Sequence, residues 1–182
     1  QFYSWTNNLV PNKFPTLDGD HPRMVIPFRD SNGEIFAYQG RAFGKEKPKY
    51  ITIILDESVP KIFGLDRVDP SRDIFVVEGP IDSLFIQNCI AVAQSDLRVP
   101  QYKDKAILVP DNEPRNKQII QQLERAIDDN YRVVIWPDYV RQKDINDMIL
   151  SGLDAVEIMD IISNNTFQGL SAKVELQKWK RT

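Results

Sequence analysis

Imidazole and thiol are nearly missing from this chain, whose 182 residues include one histidine, His21, and one cysteine, Cys89. A lone cysteine excludes an internal disulfide framework. One His and one Cys cannot supply the usual ligand set of a zinc site, so no zinc is expected within this chain. The same scarcity argues against Cys-His and Ser-His-Asp hydrolases, leaving His21, in the polar stretch Asp18-Gly19-Asp20-His21-Pro22, as the only imidazole for a triad. Cys89 follows Phe85 at helical spacing, which predicts a buried core thiol and not a nucleophile. Also absent are any apolar run approaching the roughly 18 residues of a membrane span and any recognisable signal peptide. The chain opens on Gln1-Phe2-Tyr3-Ser4-Trp5 without a Met and reads as an excised fragment of a longer intracellular protein, with no membrane partner.

What is present is the composition of an ordinary globular protein, 42% hydrophobic and 27% charged, enough for one domain or two small ones with a buried core. The net charge of −3 is unevenly spread. An acidic excess lies in residues 73–160, and both flanks are basic. The densest basic patch is Arg41, Lys45, Lys47 and Lys49, opposed only by Glu46. Such a pattern suits a protein that holds cations at its centre and polyanions around them, although ordinary surface charge has the same appearance.

Residues 23–55 read as β structure. MVIPF at 24–28 leads into Asp30-Ser31-Asn32-Gly33, a strong hairpin signal, and IFAY at 35–38 runs back. Tyr50 heads a third apolar, β-branched run to Leu55, and residues 61–69 look like a short helix and connector. From Asp73 the pattern changes. IFVV at 74–77 is continuously apolar, as in a strand covered on both faces. A helical spacing follows over 81–89, then strands at 90–93 and 106–109. An amphipathic helix begins near Pro114, a strand follows at 132–136, and helices are expected at 145–150 and 154–163. Leu170 to Arg181 reads as a basic helix carrying Trp179. Strands alternating with helices predict a parallel α/β sheet over 73–163, preceded by a mixed α+β subdomain over 1–72 and followed by a C-terminal helix over 164–182.

Acidic clusters fall where those strands end. Glu78 and Asp82 follow the first strand, Asp111 and Glu113 the third, and Asp144 and Asp147 lie a little beyond the strand at 132–136. In a parallel sheet all of them converge on the carboxyl edge, where functional groups gather. Carboxylates brought together repel unless a cation offsets them. Hard oxygen donors without His or Cys select Mg²⁺ or Mn²⁺. Any single pair has the ordinary reading of a helix cap. Three clusters at neighbouring strand ends are harder to assign to capping.

The motifs EGPID at 78–82, DNE at 111–113 and KDIND at 143–147 resemble the Toprim domain shared by DnaG-like primases, topoisomerases and some nucleases. The upstream segment RMVIPFRDSNGEIFAYQGRAFGKEKPKY, 23–50, resembles the part of the primase core that precedes that domain, with a Gly-Gly-Arg-like turn at Gln39-Gly40-Arg41 and a Pro-Lys-Tyr element at 48–50. KIFGLDRV at 61–68 matches the short helix that follows. Overall the similarity is greatest to the primases of T-even-type bacteriophages and covers roughly residues 22–170. Departures from the bacterial pattern are Gln39 for the first Gly of that turn, Glu113 for an Asp, and Gln94-Ser95 for a small Gly-Thr pair.

The resemblance implies a Toprim fold, Rossmann-like with a mainly parallel sheet flanked by helices. The implied enzyme is a nucleotidyltransferase, a DNA primase that synthesises RNA primers on single-stranded DNA from nucleoside triphosphates. It implies Mg²⁺ or Mn²⁺, two or more ions, held by Asp111, Glu113 and Asp144, with Glu78 as ligand or general base and Asp82 in support. Arg41, Lys49, Tyr50 and Lys47 are implied contacts to nucleotide and template. The implied partners are a replicative helicase and an upstream zinc-binding domain, and the implied setting is the phage replisome in the cytoplasm of a bacterial host. From the residues alone, Tyr50 could equally be core, Trp136 reads as strand core, and Trp179 reads as part of an ordinary surface helix. A Toprim nuclease or topoisomerase piece, and a non-catalytic module that tethers a helicase, remain alternatives.

Overall fold

The computed structural model describes residues 1–94 and 96–180. Ser95 of the Gln94-Ser95 pair, and Arg181 of the basic tail, lie outside the described residues. The chain forms two compact units, Gln1–Lys61 and Ile62–Thr182.

In the first unit, β1 (Arg23–Arg29), β2 (Ile35–Ala42) and β3 (Tyr50–Ile54) make an antiparallel sheet in that order. The expected hairpin forms because Asp30 closes it from within: its carboxylate accepts from the Asn32 and Glu34 amides at 2.8 and 2.9 Å, while Gly33 supplies the left-handed φ of 85°. Gln39-Gly40-Arg41, expected as a turn, instead lies inside β2, paired on both sides. Gly40 is needed there for packing. A Cβ would stand 2.4 Å from the ring of Phe2, which is buried with Tyr38 and Ile53. Phe2 belongs to α1 (Phe2–Leu9), a helix that the sequence pattern does not announce.

In the second unit, β4 (Ile74–Val77), β5 (Cys89–Ala91), β6 (Ala106–Leu108) and β7 (Arg132–Val134) are parallel, and β8 (Thr166–Phe167) closes the sheet antiparallel to β7. The order β5-β4-β6-β7-β8 places the continuous apolar runs at the centre, as burial on both faces requires. Helix α2 (Lys117–Asp128) buries Ile119, Leu123, Ala126 and Ile127 on one stripe. It is followed by α3 (Ile145–Leu150), α4 (Ala155–Asn164) and α5 (Gly169–Trp179).

Two expected helices are corrected. Over 61–69 the chain makes turns and one bridge, Phe63 to Ala91, and Gly64 at φ +93° interrupts any helical path. Over 81–89 only a 3₁₀ turn forms, Asp82–Phe85, because Ile86 is already extended and Asn88 turns the chain left-handed at φ 50° into β5. Cys89 is buried as expected, but on that strand and not on a helix. Burial pushes its thiol far above the ordinary range, which leaves it inert.

Candidate metal and nucleotide site

The three parallel strands β4, β6 and β7 run the same way, so the loops after them emerge at one edge of the sheet. Glu78 is the residue after β4. Asp82 opens the 3₁₀ turn and folds back over the strand end, close above Gly79: a Cβ there would stand 2.5 Å from the Asp82 carboxylate. The other Asp82 oxygen accepts from the Asn146 amide at 2.9 Å, joining the turn to α3. Asp111 and Glu113 follow β6, and Lys143 reaches them from the loop before α3 at 3.6 and 2.7 Å.

The electrostatics show that these groups act on one another. Burial first, then the charges of Asp111 and Glu113, pushes Glu78 up to about 8, partly offset by Lys143. Asp111 rises to about 6, again from burial, with Lys143 opposing and Asp82, Asp144 and Glu113 adding to the rise. Glu113 moves the other way, held below its ordinary value by hydrogen bonds from Asn116 and Lys143. Lys143 is raised in turn, chiefly by Glu113. The cluster carries more negative charge than the one ammonium at its centre can offset.

Asp144 sits in the same neighbourhood with one oxygen committed: it caps α3 by accepting from the Asp147 amide at 2.8 Å. Asp147 is exposed in the first turn of that helix. The donor set, all carboxylate oxygen, suits Mg²⁺ or Mn²⁺ and is wrong for zinc. Among the described residues no three His, Cys, Asp or Glu side chains stand close enough to hold one ion as placed. Taking up an ion there asks Lys143 to leave Glu113 and the carboxylates to draw together.

In the first unit the structure brings three of the four candidate nucleotide contacts together. Arg41 and Tyr50 are partners across β2 and β3, and the Arg41 guanidinium and Lys49 ammonium lie 5.7 and 5.5 Å from the Tyr50 ring centroid. Tyr50 is 37% exposed, which removes the core reading of that residue. Lys47 lies on the exposed loop that joins these strands.

Sequence reasoning missed the residues that hold the acidic loop. Asn112 donates its amide N–H to the Lys143 carbonyl at 2.6 Å and its side-chain NH₂ to the Val140 and Gln142 carbonyls at 2.9 and 3.2 Å. Asn116 caps α2 with its oxygen and gives Nδ2 to Glu113 at 2.6 Å. Trp136, read as strand core, is buried just past β7 and donates its indole N–H to the Pro110 carbonyl at 2.7 Å. Trp179, read as lying on a surface helix, is 5% exposed and donates to Asn112 Oδ1 at 3.0 Å. The only sequence signal for these roles was position: Asn112 between the two acids and Asn116 three residues after the second.

Solved structures of DnaG-type primase catalytic cores share this fold, a three-stranded unit followed by a mainly parallel sheet. A DnaG primase catalytic domain bound to single-stranded DNA aligns with a TM-score of 0.60 at 20% identity, over 83% of this chain and 55% of that one. The primase fragment of the bacteriophage T7 primase-helicase protein aligns at 0.57 and 23% identity, over 76% and 62% of the two chains. In sequence the particular similarity is to the DNA primase of Enterobacteria phage T4: 41% identity over 180 residues, 96% of this chain and 52% of the relative. The chain thus spans about half the length of that relative. No protein-family model matches it. The motif-based resemblance to a primase core of the T-even phage type is borne out.

Proposed function

We propose that this chain is the catalytic core of a phage DNA primase, joining nucleoside triphosphates into short RNA primers on single-stranded DNA. The observation that carries the reading is the convergence of Glu78, Asp111, Glu113 and Lys143 at the carboxyl edge of the sheet, in a chain similar to T4 DNA primase over nearly its whole length.

Asp111, Glu113 and Asp144 would hold Mg²⁺ or Mn²⁺, with Glu78 beside them and Asp82 in support. When bound, a pair of such ions supplies charge neutralisation at the attacking 3′-oxygen and at the departing pyrophosphate. The protein's own part is to keep these carboxylates half-buried and oriented. Asn116 aims Glu113, Gly79 lets Asp82 fold back over the strand end, and Glu78, in its ionised form, would accept the 3′-hydroxyl proton. Arg41, Lys47 and Lys49 take phosphates, and the exposed Tyr50 face stacks on a base.

Single-stranded DNA as template is supported by the DnaG catalytic domain solved with that ligand, and a replicative helicase as partner by the T7 primase-helicase protein. An upstream zinc-binding domain for template recognition completes the reading. The setting is the cytoplasm of an infected bacterium; no described helix is long and apolar enough to cross a membrane.

The test supplies single-stranded DNA, Mg²⁺ or Mn²⁺ and four ribonucleoside triphosphates to the wild type, Glu78→Gln and Asp111→Asn. RNA from the wild type and a drop of roughly 100-fold or more in both variants is expected, the scale of removing an essential acid–base group. Undiminished synthesis by both variants would remove the site assignment, and DNA cleavage without triphosphates would replace the primase reading with a Toprim nuclease.

A further inference from the structure

We propose that Asn112 and Trp179 are positioning residues through which helix α5 sets the divalent-cation affinity of the Asp111–Glu113 loop. The inference rests on the cation-binding reading above and adds to it a control point in a part of the chain that contributes no ligand.

Asn112 lies between two of the candidate ligands, so any rotation of its peptide units moves both. All of its polar groups except the carbonyl are fixed: the amide on Lys143, the side-chain NH₂ on Val140 and Gln142, and the side-chain oxygen on Trp179. The first three bonds stay within the loops of the site. The fourth leaves it. The Trp179 indole comes from the last turn of α5, a helix held against α2 by Lys173 to Asp128 at 2.7 Å and Lys180 to Glu124 at 2.5 Å. The other end of the same loop is tied to α2 as well, through the Asn116 side chain on Glu113. Displacing α5 therefore withdraws the donor from Asn112 Oδ1 and loosens the loop at the residue between the ligands. An indole N–H has no role in filling apolar space, yet this one is buried and directed at the site. Groups that orient ligating carboxylates in this manner typically change metal affinity about 10- to 100-fold when removed.

Trp179→Phe keeps a six-membered apolar ring and deletes the donor together with the pyrrole half of the indole. The measurement is Mn²⁺ binding to the whole chain, from the free-ion electron paramagnetic resonance signal, with thermal melting in EDTA alongside. Affinity weaker by about tenfold is expected, with a melting temperature lowered only by the cavity that the smaller ring leaves. A residue that merely packed would lower the melting temperature and leave Mn²⁺ affinity where it was. Asn112→Ala should weaken binding at least as much, since it also frees the loop from Val140 and Gln142. Unchanged Mn²⁺ affinity in folded Trp179→Phe overturns the inference. If that variant does not fold, the wild type labelled with 5-fluorotryptophan decides: Mg²⁺ should shift the ¹⁹F resonance of Trp179, assigned by Trp5→Phe and Trp136→Phe, the shift should vanish in Asp111→Asn, and no shift overturns the inference. Asp111→Asn also keeps the two readings apart. If it binds Mn²⁺ like the wild type, the cation site itself fails; if it no longer binds Mn²⁺ while Trp179→Phe still does, only the coupling fails.

Discussion

Ionising Glu78 costs free energy in the folded protein, and the direction of that cost is opposite to that of a salt-bridged carboxylate. Its carboxyl, ordinarily near 4.5, is pushed to about 8 by burial and by Asp111 and Glu113. Between those values the folded chain keeps a proton that the unfolded chain has released, so stability falls as pH rises from about 5 to about 8. Carboxylates held low, such as Asp73 beside Arg132, act the other way, but only at more acid pH. In EDTA the unfolding free energy of the wild type should drop by on the order of 2 kcal/mol between about pH 5.5 and 8, after allowing for partial solvent screening. Urea denaturation at the two pH values measures it. Glu78→Gln, neutral at both, should remove most of the slope, and an equal slope in the variant would mean that another group carries it. Lys143→Met tests the same balance from the other side. With the offsetting ammonium gone, the fall towards pH 8 should steepen, and Mg²⁺ should restore more stability than it does in the wild type.

At the scale of elements, α2 does two jobs through one residue. Asn116 accepts from the Gln118 and Ile119 amides as N-cap and donates to Glu113. The two jobs separate by substitution. Asn116→Ala removes both and should cost about 1 kcal/mol in urea denaturation. Asn116→Ser keeps a capping oxygen, so its stability should stay within about 0.5 kcal/mol of the wild type. It has no donor long enough for Glu113, and primer synthesis should fall about tenfold. Full synthesis by the Ser variant would make Asn116 a cap alone. The candidate acids were legible in the sequence because a continuous apolar strand followed by an acid is a local pattern, and the parallel order of β4, β6 and β7 brings such patterns together. Asn112, Asn116 and Trp179 were not legible. Their meaning lies in partners elsewhere in the fold, Trp179 reaching a loop that precedes even α2. The short elements failed for a related reason: helical spacing over 81–89 was real, but the turn into β5 left room for only a 3₁₀ turn. Likewise α1 exists because Phe2 packs against Gly40, a tertiary fact with no periodic signal.

For the molecule as a whole, a net charge of −3 conceals two charge systems on separate compact units, a basic edge with Arg41, Lys47 and Lys49 within Gln1–Lys61 and an acidic cluster within Ile62–Thr182. If the first system meets phosphates and the second meets cations, each should be removable without the other. Binding of a single strand releases counterions, and the slope of log affinity against log salt concentration shrinks by about 0.7 for each phosphate that is no longer neutralised. Arg41→Ala with Lys49→Ala should therefore flatten the slope by about 1.4 for single-stranded DNA. Sites with no shared partner contribute additively, so Mn²⁺ affinity in the double variant should equal that of the wild type. Asp111→Asn should show the reverse, with Mn²⁺ binding abolished and the salt slope intact. Fluorescence anisotropy of a labelled oligonucleotide across a salt series, in EDTA, reads the slope without any contribution from bound divalent ions. A double variant with an unchanged slope would take Arg41 and Lys49 off the nucleic-acid surface. A double variant that also failed to bind Mn²⁺ would mean that the two charge systems are not independent.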